Sequence, residues 1–422
     1  MLCDLTIKKS QGKELTKQEY YKAIELVMSK GDDVTVADFF RALNIFGMTK
    51  NEVCHLALAI KDSGKVVNYE NTVLEKHSTG GIGDSTSLVL IPLLACLGYT
   101  VVKTTSKSLT YTNGSADRFG SIPNFSVMLK DDEIKNTLSK TNACILSHNG
   151  HFCPADRILY DVMETYNLEG DLNLLAASIA AKKLASGANI VLIDVKFGHS
   201  SVIKTYANAI KMAKLLKYIF KSFGVECIVV TTNTAQMIGS AIGNAVEVVD
   251  ALNVLQGKKC ALRDVSVAYA VEMICKFGYY NVNKKDAYDL VNMAIDSGNA
   301  YNTFLEIVKL HGGDVECLKN ATLFKPYKSK NFISESEGYV GAINYLLLGD
   351  LVKELCLFSH DPNIGVVVHV KVGDYVKVGE PIISFYYKYD DDFEKYKKSI
   401  LNCVKLTKQK IKPVKIIQKV IR

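Results

Sequence analysis

A charged, hydroxyl-bearing turn, Glu75-Lys76-His77-Ser78-Thr79-Gly80-Gly81-Ile82-Gly83-Asp84-Ser85-Thr86-Ser87, runs through three glycines into the apolar run Ser87 to Leu97. That run is too short to cross a bilayer and ends at Gly98, so it predicts a buried helix. Glycines let a backbone approach a ligand closely, and a loop that opens a helix aims free N–H groups and the positive dipole end at an anion. Phosphate is the obvious anion. The lysine precedes the glycines, which is the wrong order for a P-loop. Taken alone, an ordinary glycine-rich turn explains the stretch as well.

Around it the texture alternates between strand and helix. Tyr99 to Thr104, Thr141 to Leu146, Asn189 to Lys196 and Glu226 to Thr232 read as strands, with helices predicted at about Arg157 to Leu184 and Tyr206 to Phe223. This alternation predicts an α/β domain. Residues 1–65 read as helical, with capping boxes at Thr16/Glu19 and Thr49/Glu52, and Gly64 is placed to close the second of these helices. Gly365 to Pro381 alternates with Gly-Asp and Gly-Glu-Pro turns, the mark of a small β-rich domain at the C-terminal end.

Composition narrows the function classes. The net charge of +7 resides in the seven cations after Cys403; without them 44 cations balance 44 acids. A neutral body argues against a general nucleic-acid or membrane role. The basic tail alternates lysine with Ile and Val, so an exposed strand or solvated end is expected there. The eleven cysteines include no C-x-x-C pair, which suggests neither a zinc site nor a disulfide framework, and they read as thiols in a reducing compartment. The N-terminus lacks a signal-peptide apolar core, so a cytoplasmic protein is expected.

Further candidate chemistry lies near the strand ends. Thr105 to Ser115 forms a second hydroxyl-rich loop after a strand, able to close on the same anion or simply to be solvated. Asp194 and Lys196 end an otherwise apolar strand. Ser178 and Lys182 share one helix face among alanines; a surface lysine and a site cation both fit that spacing.

Lys76 to Asp84, Asp117 with Ser121-Ile122-Pro123-Asn124-Phe125, Pro154-Ala155-Asp156, Ala181-Lys182-Lys183-Leu184-Ala185-x-Gly187, Asp194-Val195-Lys196-x-Gly198 and Ala241 to Glu247 occur in the order of one family. The chain resembles the thymidine and pyrimidine-nucleoside phosphorylases over nearly its whole length. The resemblance implies an α/β fold in three parts. These are a small helical domain (1–65 plus 155–186) that carries the base side and dimerises, a large α/β phosphate-binding domain with a central mostly parallel sheet (66–154 plus 187–330), and a small C-terminal domain (331–422). It also implies a pentosyltransferase: phosphate attacks the anomeric carbon of a pyrimidine nucleoside, releasing free base and pentose 1-phosphate. No cofactor is required beyond phosphate as co-substrate, and a homodimer with no nucleic-acid or membrane partner is expected.

By the same resemblance Lys76, Ser78, Ser87, Thr105 and Ser115 hold phosphate, and His77 and Lys182 act on the base and pentose as negative charge gathers on the leaving group. Tyr160, Met163, Ser178 and Lys182 mark the base site. Gly83, Ser85 and Glu247 resemble a structural cation site of some members, with a satisfied structural carboxylate as the alternative for Glu247.

Three departures stand out. Met163 occupies the place of a family arginine that bonds the base, a loss worth roughly 1.5–3 kcal/mol or about 10–100-fold in rate. The second phosphate loop reads Lys107-Ser108 and Asn113-Gly114 where the family has more glycine, and His199-Ser200-Ser201 replaces a glycine and alanine run. These changes imply a shifted base specificity, or a weakened or inactive relative that binds nucleoside or serves as a dimeric partner. A phosphoribosyltransferase on the related fold fits less well, because the C-terminal domain belongs to the phosphorylases.

Overall fold

A computed structural model of the chain describes residues 2–29, 33–105, 114–147, 152–168, 170–277 and 282–422. The chain begins with helices α1 (Leu2–Ser10), α2 (Lys17–Met28), α3 (Asp33–Phe46) and α4 (Lys50–Lys61). Both capping boxes form: each threonine hydroxyl accepts from its glutamate N–H and each glutamate reaches back to the threonine N–H. Val53, Leu56, Ala57 and Ile60 are fully buried on one face of α4, which ends at a cap on Asp62 before Gly64 is reached.

The α/β part follows with β1 (Val73–Ser78), α5 (Thr86–Cys96), β2 (Thr100–Thr105), α6 (Ser115–Gly120), α7 (Asp131–Thr141) and β3 (Ala143–Ser147). Where one helical return was expected there are two helices, α8 (Pro154–Thr165) and α9 (Leu172–Ala185). Asn167 takes a left-handed φ of 56°, and the Asp171 carboxylate caps the N–H groups of Asn173 and Leu174, so a new helix starts there. Next come β4 (Ile190–Phe197), α10 (Tyr206–Ser222), β5 (Glu226–Asn233), β6 (Ala241–Ile242), α11 (Asn244–Leu255), α12 (Ala261–Phe277), α13 (Lys284–Asp296), α14 (Asn299–Leu310) and α15 (Val315–Lys319). The C-terminal part holds β7 (Lys328–Ile333), β8 (Gly338–Ile343), α16 (Tyr345–Ser359), β9 (Gly365–Val368), β10 (Tyr375–Val376), β11 (Pro381–Tyr387), α17 (Asp390–Leu401), β12 (Val404–Thr407) and β13 (Ile417–Ile421).

Among the described residues the main sheet runs β13-β5-β4-β1-β2-β3, parallel except for β13. Chain order leaves β1 toward β2 and β3 on one side and toward β4 and β5 on the other, so the crevice at the carboxyl ends of β1 and β4 is a switch point. The two faces follow the strand period of two. Val191, Ile193 and Val195 pack with the helical segment's core, whereas Ile190 and Leu192 pack with α5 and α11 to α14.

Two parts of the chain cross between the main sheet and the C-terminal part. The basic tail ends in a strand, one of the two expected outcomes: Ile417 to Ile421 leaves the C-terminal part and pairs antiparallel with β5, and Arg422 makes a fork with the buried Glu272 carboxylate at 2.7 and 2.8 Å. Conversely Ala241 and Ile242 join the C-terminal sheet beside β9, whose core also takes in Ile82 of the glycine loop.

One buried histidine gives this fold an acid limit. His311 stacks on Phe125, its Nδ1–H donates to the Ser126 carbonyl at 2.7 Å, and its Nε2 accepts the Ile145 N–H at 3.3 Å, an arrangement for the neutral ring. Burial lowers its pKa from 6.5 to about 4. The unfolded chain therefore takes up this proton first as pH falls. Stability is full above pH 6.5 and should drop by about 3 kcal/mol on the way down to pH 4. Unfolding midpoints of wild type and His311→Gln across that window should converge as pH falls.

Candidate active site

The phosphate-side candidates gather at the switch point. Period-two alternation puts Lys76 and Ser78 on the α5 face of β1, and Glu75 and His77 on the opposite face, toward α9. Lys76, buried, donates to Thr86 Oγ1 at 2.8 Å in the first turn of α5 and to Asp84 Oδ2 at 3.1 Å. Ser78 Oγ accepts the Gly80 N–H at 3.3 Å. Ser87 is the second residue of α5, beside Thr86. Thr105 ends β2 and its hydroxyl accepts the Ala116 N–H at 3.2 Å, which ties it to α6, whose first residue is Ser115. The altered loop residues Lys107, Ser108 and Asn113 lie outside the described residues.

A buried ion cluster supports this end of the sheet. Asp84 Oδ2 faces both Lys76 at 3.1 Å and Lys196 at 3.3 Å. Lys196 also holds Asp194 at 2.6 Å, and Thr232 donates to the other oxygen of Asp194 at 2.6 Å. Burial alone would raise the Asp84 carboxyl, but Lys196 and Lys76 hold it well below the usual range. Against its own burial, Lys196 is kept charged by Asp194 and Asp84. Lys103, whose ammonium position donates to the Lys76 carbonyl at 3.0 Å, is pushed well below the lysine range by burial and by Lys183.

The loop geometry explains two of its glycines. A Cβ on Gly81 would stand 2.2 Å from Cδ of Lys196. Gly83 has φ +63° and its Cβ would meet Met237 Sδ at 2.3 Å. Because Lys196 is pinned at its far end by two carboxylates, it has little room to give. Gly81→Ala should cost about 1–3 kcal/mol in stability and weaken anion binding, read by thermal melts with and without phosphate.

The base-side candidates form a second polar group on α8 and α9. Lys182 donates to Asp156 Oδ2 at 2.6 Å and Ser178 Oγ at 2.5 Å, and its ammonium lies 4.4 Å from the Tyr160 ring centre. Burial opposes the charge of Lys182, but Asp156 more than offsets it and raises the pKa. Asp156 Oδ1 is buried with no hydrogen-bond partner. Met163 is not part of this group: it is fully buried in the apolar core of the helical segment, where a thioether packs well and a base-facing role has no donor.

The two groups are joined by a hub that sequence reasoning passed over. Glu75 Oε1 accepts from Lys183 Nζ at 2.5 Å and from the Thr104 hydroxyl and N–H at 2.5 and 2.8 Å, while Oε2 accepts from Ser186 at 2.6 Å. Glu75 and Lys183 are both fully buried. Lys183 adjoins Lys182 and Glu75 adjoins Lys76, so this pair fixes α9 against β1 between the two sites. The signal was present as an acid and a lysine inside apolar elements, but their 108-residue separation hides the pairing.

Gly83, Ser85 and Glu247, the candidate cation ligands, each make hydrogen bonds within the protein. The Gly83 carbonyl accepts the Gly239 N–H at 3.0 Å. Ser85 donates to Glu247 Oε2 at 2.8 Å, and Arg118 Nε donates to the same oxygen at 2.5 Å. The Gly243 N–H reaches Oε1 at 3.2 Å. The cation that Glu247 meets is the Arg118 guanidinium.

Comparison with known proteins places the arrangement. Residues 4–64 match the glycosyl transferase family helical bundle domain, and residues 70–301 match the glycosyl transferase family a/b domain. Over 409 residues the chain is 31% identical to a pyrimidine-nucleoside phosphorylase of Geobacillus stearothermophilus, covering 91% of this chain and 92% of that one. The chain belongs to the family of the pyrimidine-nucleoside and thymidine phosphorylases. A thymidine phosphorylase of Agrobacterium fabrum is 29% identical over 415 residues (94% and 93% covered), and an AMP phosphorylase of Thermofilum pendens 32% over 384 residues (90% and 73%). The fold also resembles anthranilate phosphoribosyltransferase from Thermus thermophilus, at a TM-score of 0.61 and 17% identity, over 74% of this chain and all of that one. Among the described residues no helix is long and apolar enough to cross a membrane.

Proposed function

We propose that the protein catalyses phosphorolysis of a pyrimidine nucleoside, thymidine, deoxyuridine or uridine, to free base and pentose 1-phosphate, as a cytoplasmic homodimer. The observation that carries this reading is the pairing of two buried polar groups across the Glu75–Lys183 hub: Lys76 with its hydroxyls on one side, Lys182 with Ser178 on the other.

Phosphate lies at the carboxyl end of β1 and the first turn of α5, held by Lys76, Ser78, Ser87, Thr105 and Ser115. The α5 N-terminus favours the anion, and Asp84, which shares Lys76 in the free protein, is displaced from it as phosphate binds. The nucleoside lies on the α9 side, near His77 and Tyr160. As the glycosidic bond breaks, Lys182 and Ser178 donate to the departing base and His77 stabilises its oxygen, so that charge meets preorganised donors. Orientation of phosphate against the anomeric carbon supplies much of the remaining acceleration. Met163 contributes no donor, so Lys182 and Ser178 carry the leaving group.

The test is incubation with thymidine, deoxyuridine, uridine and cytidine, with and without phosphate, following free base by chromatography. Phosphate-dependent release from at least one supports the reading. Absence of release from all four, by a folded protein, points to a non-catalytic nucleoside-binding relative.

A further inference from the structure

We infer that Tyr269 is a positioning residue for phosphate, its hydroxyl a reserve donor to the buried carboxylates under the glycine loop, engaged when phosphate draws Lys76 away from Asp84. This deepens the phosphate reading of that loop and rests on it. Tyr269 lies in the middle of α12, fully buried in the apolar core that α12 shares with α5. A phenol buried in such a place ordinarily finds an acceptor, because an unmade bond leaves the loss of water uncompensated. The Tyr269 hydroxyl makes no hydrogen bond. It is nevertheless next to polar groups: it stands beside Asp194 and Thr232, short of bonding geometry to either, and Lys76 Nζ lies 6.0 Å from the ring centre. Burial and the charges of Asp194 and Asp84 raise its pKa well above the tyrosine range, so it stays an O–H donor.

The bonds of the free protein explain why this donor is idle. Both Asp194 oxygens are taken, one by Thr232 and the other by Lys196, each at 2.6 Å. Lys196 also faces Asp84 at 3.3 Å, and Asp84 holds Lys76 at 3.1 Å and accepts from Thr86. Two ammonium groups thus balance two carboxylates. Phosphate at Lys76 adds negative charge and takes Lys76 from Asp84. Lys196 then turns toward Asp84, and Asp194 gives up part of its cation. The Tyr269 O–H, already beside Asp194, supplies the missing bond with a small rotation and no added charge. Tyr269 therefore acts on phosphate only through the carboxylates and lysines of this cluster.

Thermal melts and initial rates of full-length wild type, Tyr269→Phe and Ser266→Ala test this, with inorganic phosphate as the probe. Tyr269→Phe removes an oxygen that bonds nothing in the free protein, so its melting temperature without phosphate should match or exceed that of wild type. Its phosphate Kd, read from the rise in melting temperature with phosphate, should be about 10-fold weaker. Phosphate KM should rise by a similar factor while nucleoside KM stays the same. Ser266→Ala takes another unpartnered, fully buried hydroxyl from α12, one turn earlier, and should leave the phosphate response unchanged. Equal phosphate Kd in Tyr269→Phe and wild type overturns the inference and leaves the phosphate reading standing. An equal loss in Ser266→Ala also overturns it, since the effect would then belong to the packing of α12. So does a phosphate-free melt of Tyr269→Phe below that of wild type, which would show the hydroxyl already bonded. A wild-type melt indifferent to phosphate overturns the phosphate reading itself, and this inference with it.

Discussion

Replacing Lys182 with methionine is expected to lower phosphorolysis by about 10²–10³-fold, the loss typical of one preorganised donor at a site of developing charge. It also leaves the Asp156 carboxylate buried without its cation, with Oδ1 already unpartnered. Breaking a buried pair from one side costs about 3–5 kcal/mol. Two effects are therefore mixed in the single variant. The double variant Lys182→Met with Asp156→Asn removes the stranded charge and should recover most of the stability, while activity stays low. Urea unfolding and kcat/KM on the same preparations separate them. Recovery of activity together with stability would show that Lys182 acts only as a structural ion.

The second large effect is at Glu75. Glu75→Ala strands the Lys183 ammonium in a fully buried position and removes the acceptor for Thr104 and Ser186, so a loss of about 3–5 kcal/mol is expected from the ion pair alone. Glu75→Gln keeps the shape and one acceptor oxygen and should lose less, about 1–3 kcal/mol. Because the pair joins α9 to β1, the glutamine variant should also lose kcat/KM through misplacement of Lys76 and Lys182 on either side of it. A Glu75→Gln protein with wild-type stability and turnover would contradict the hub.

Much of the frame is legible in the residues. The apolar strand before Asp194, the buried helix after the glycine loop and the two capping boxes each carry a local signature, and each forms within a few residues of where the pattern puts it. What local pattern cannot supply is the partner. Glu75 with Lys183, Asp84 with Lys196 and Glu247 with Arg118 pair across about 110 to 130 residues, and nothing near any of them in sequence announces the other. The tail shows the same limit: alternating Lys and Ile fits a strand, and one forms, but nothing near it in sequence names β5 as the strand it joins. Met163 is a separate case. The resemblance would set it where a family arginine faces the base, whereas its apolar side chain lies in the core of the helical segment.

Phosphorus NMR of the protein with phosphate and thymidine, deoxyuridine or uridine asks directly whether the Lys76 group and the Lys182 group are two halves of one site where phosphate meets a nucleoside. A sugar 1-phosphate resonance is expected to grow in step with free base, and to grow far more slowly with Lys182→Met. A folded protein that yields no such resonance from any of the three nucleosides would contradict the two-half site.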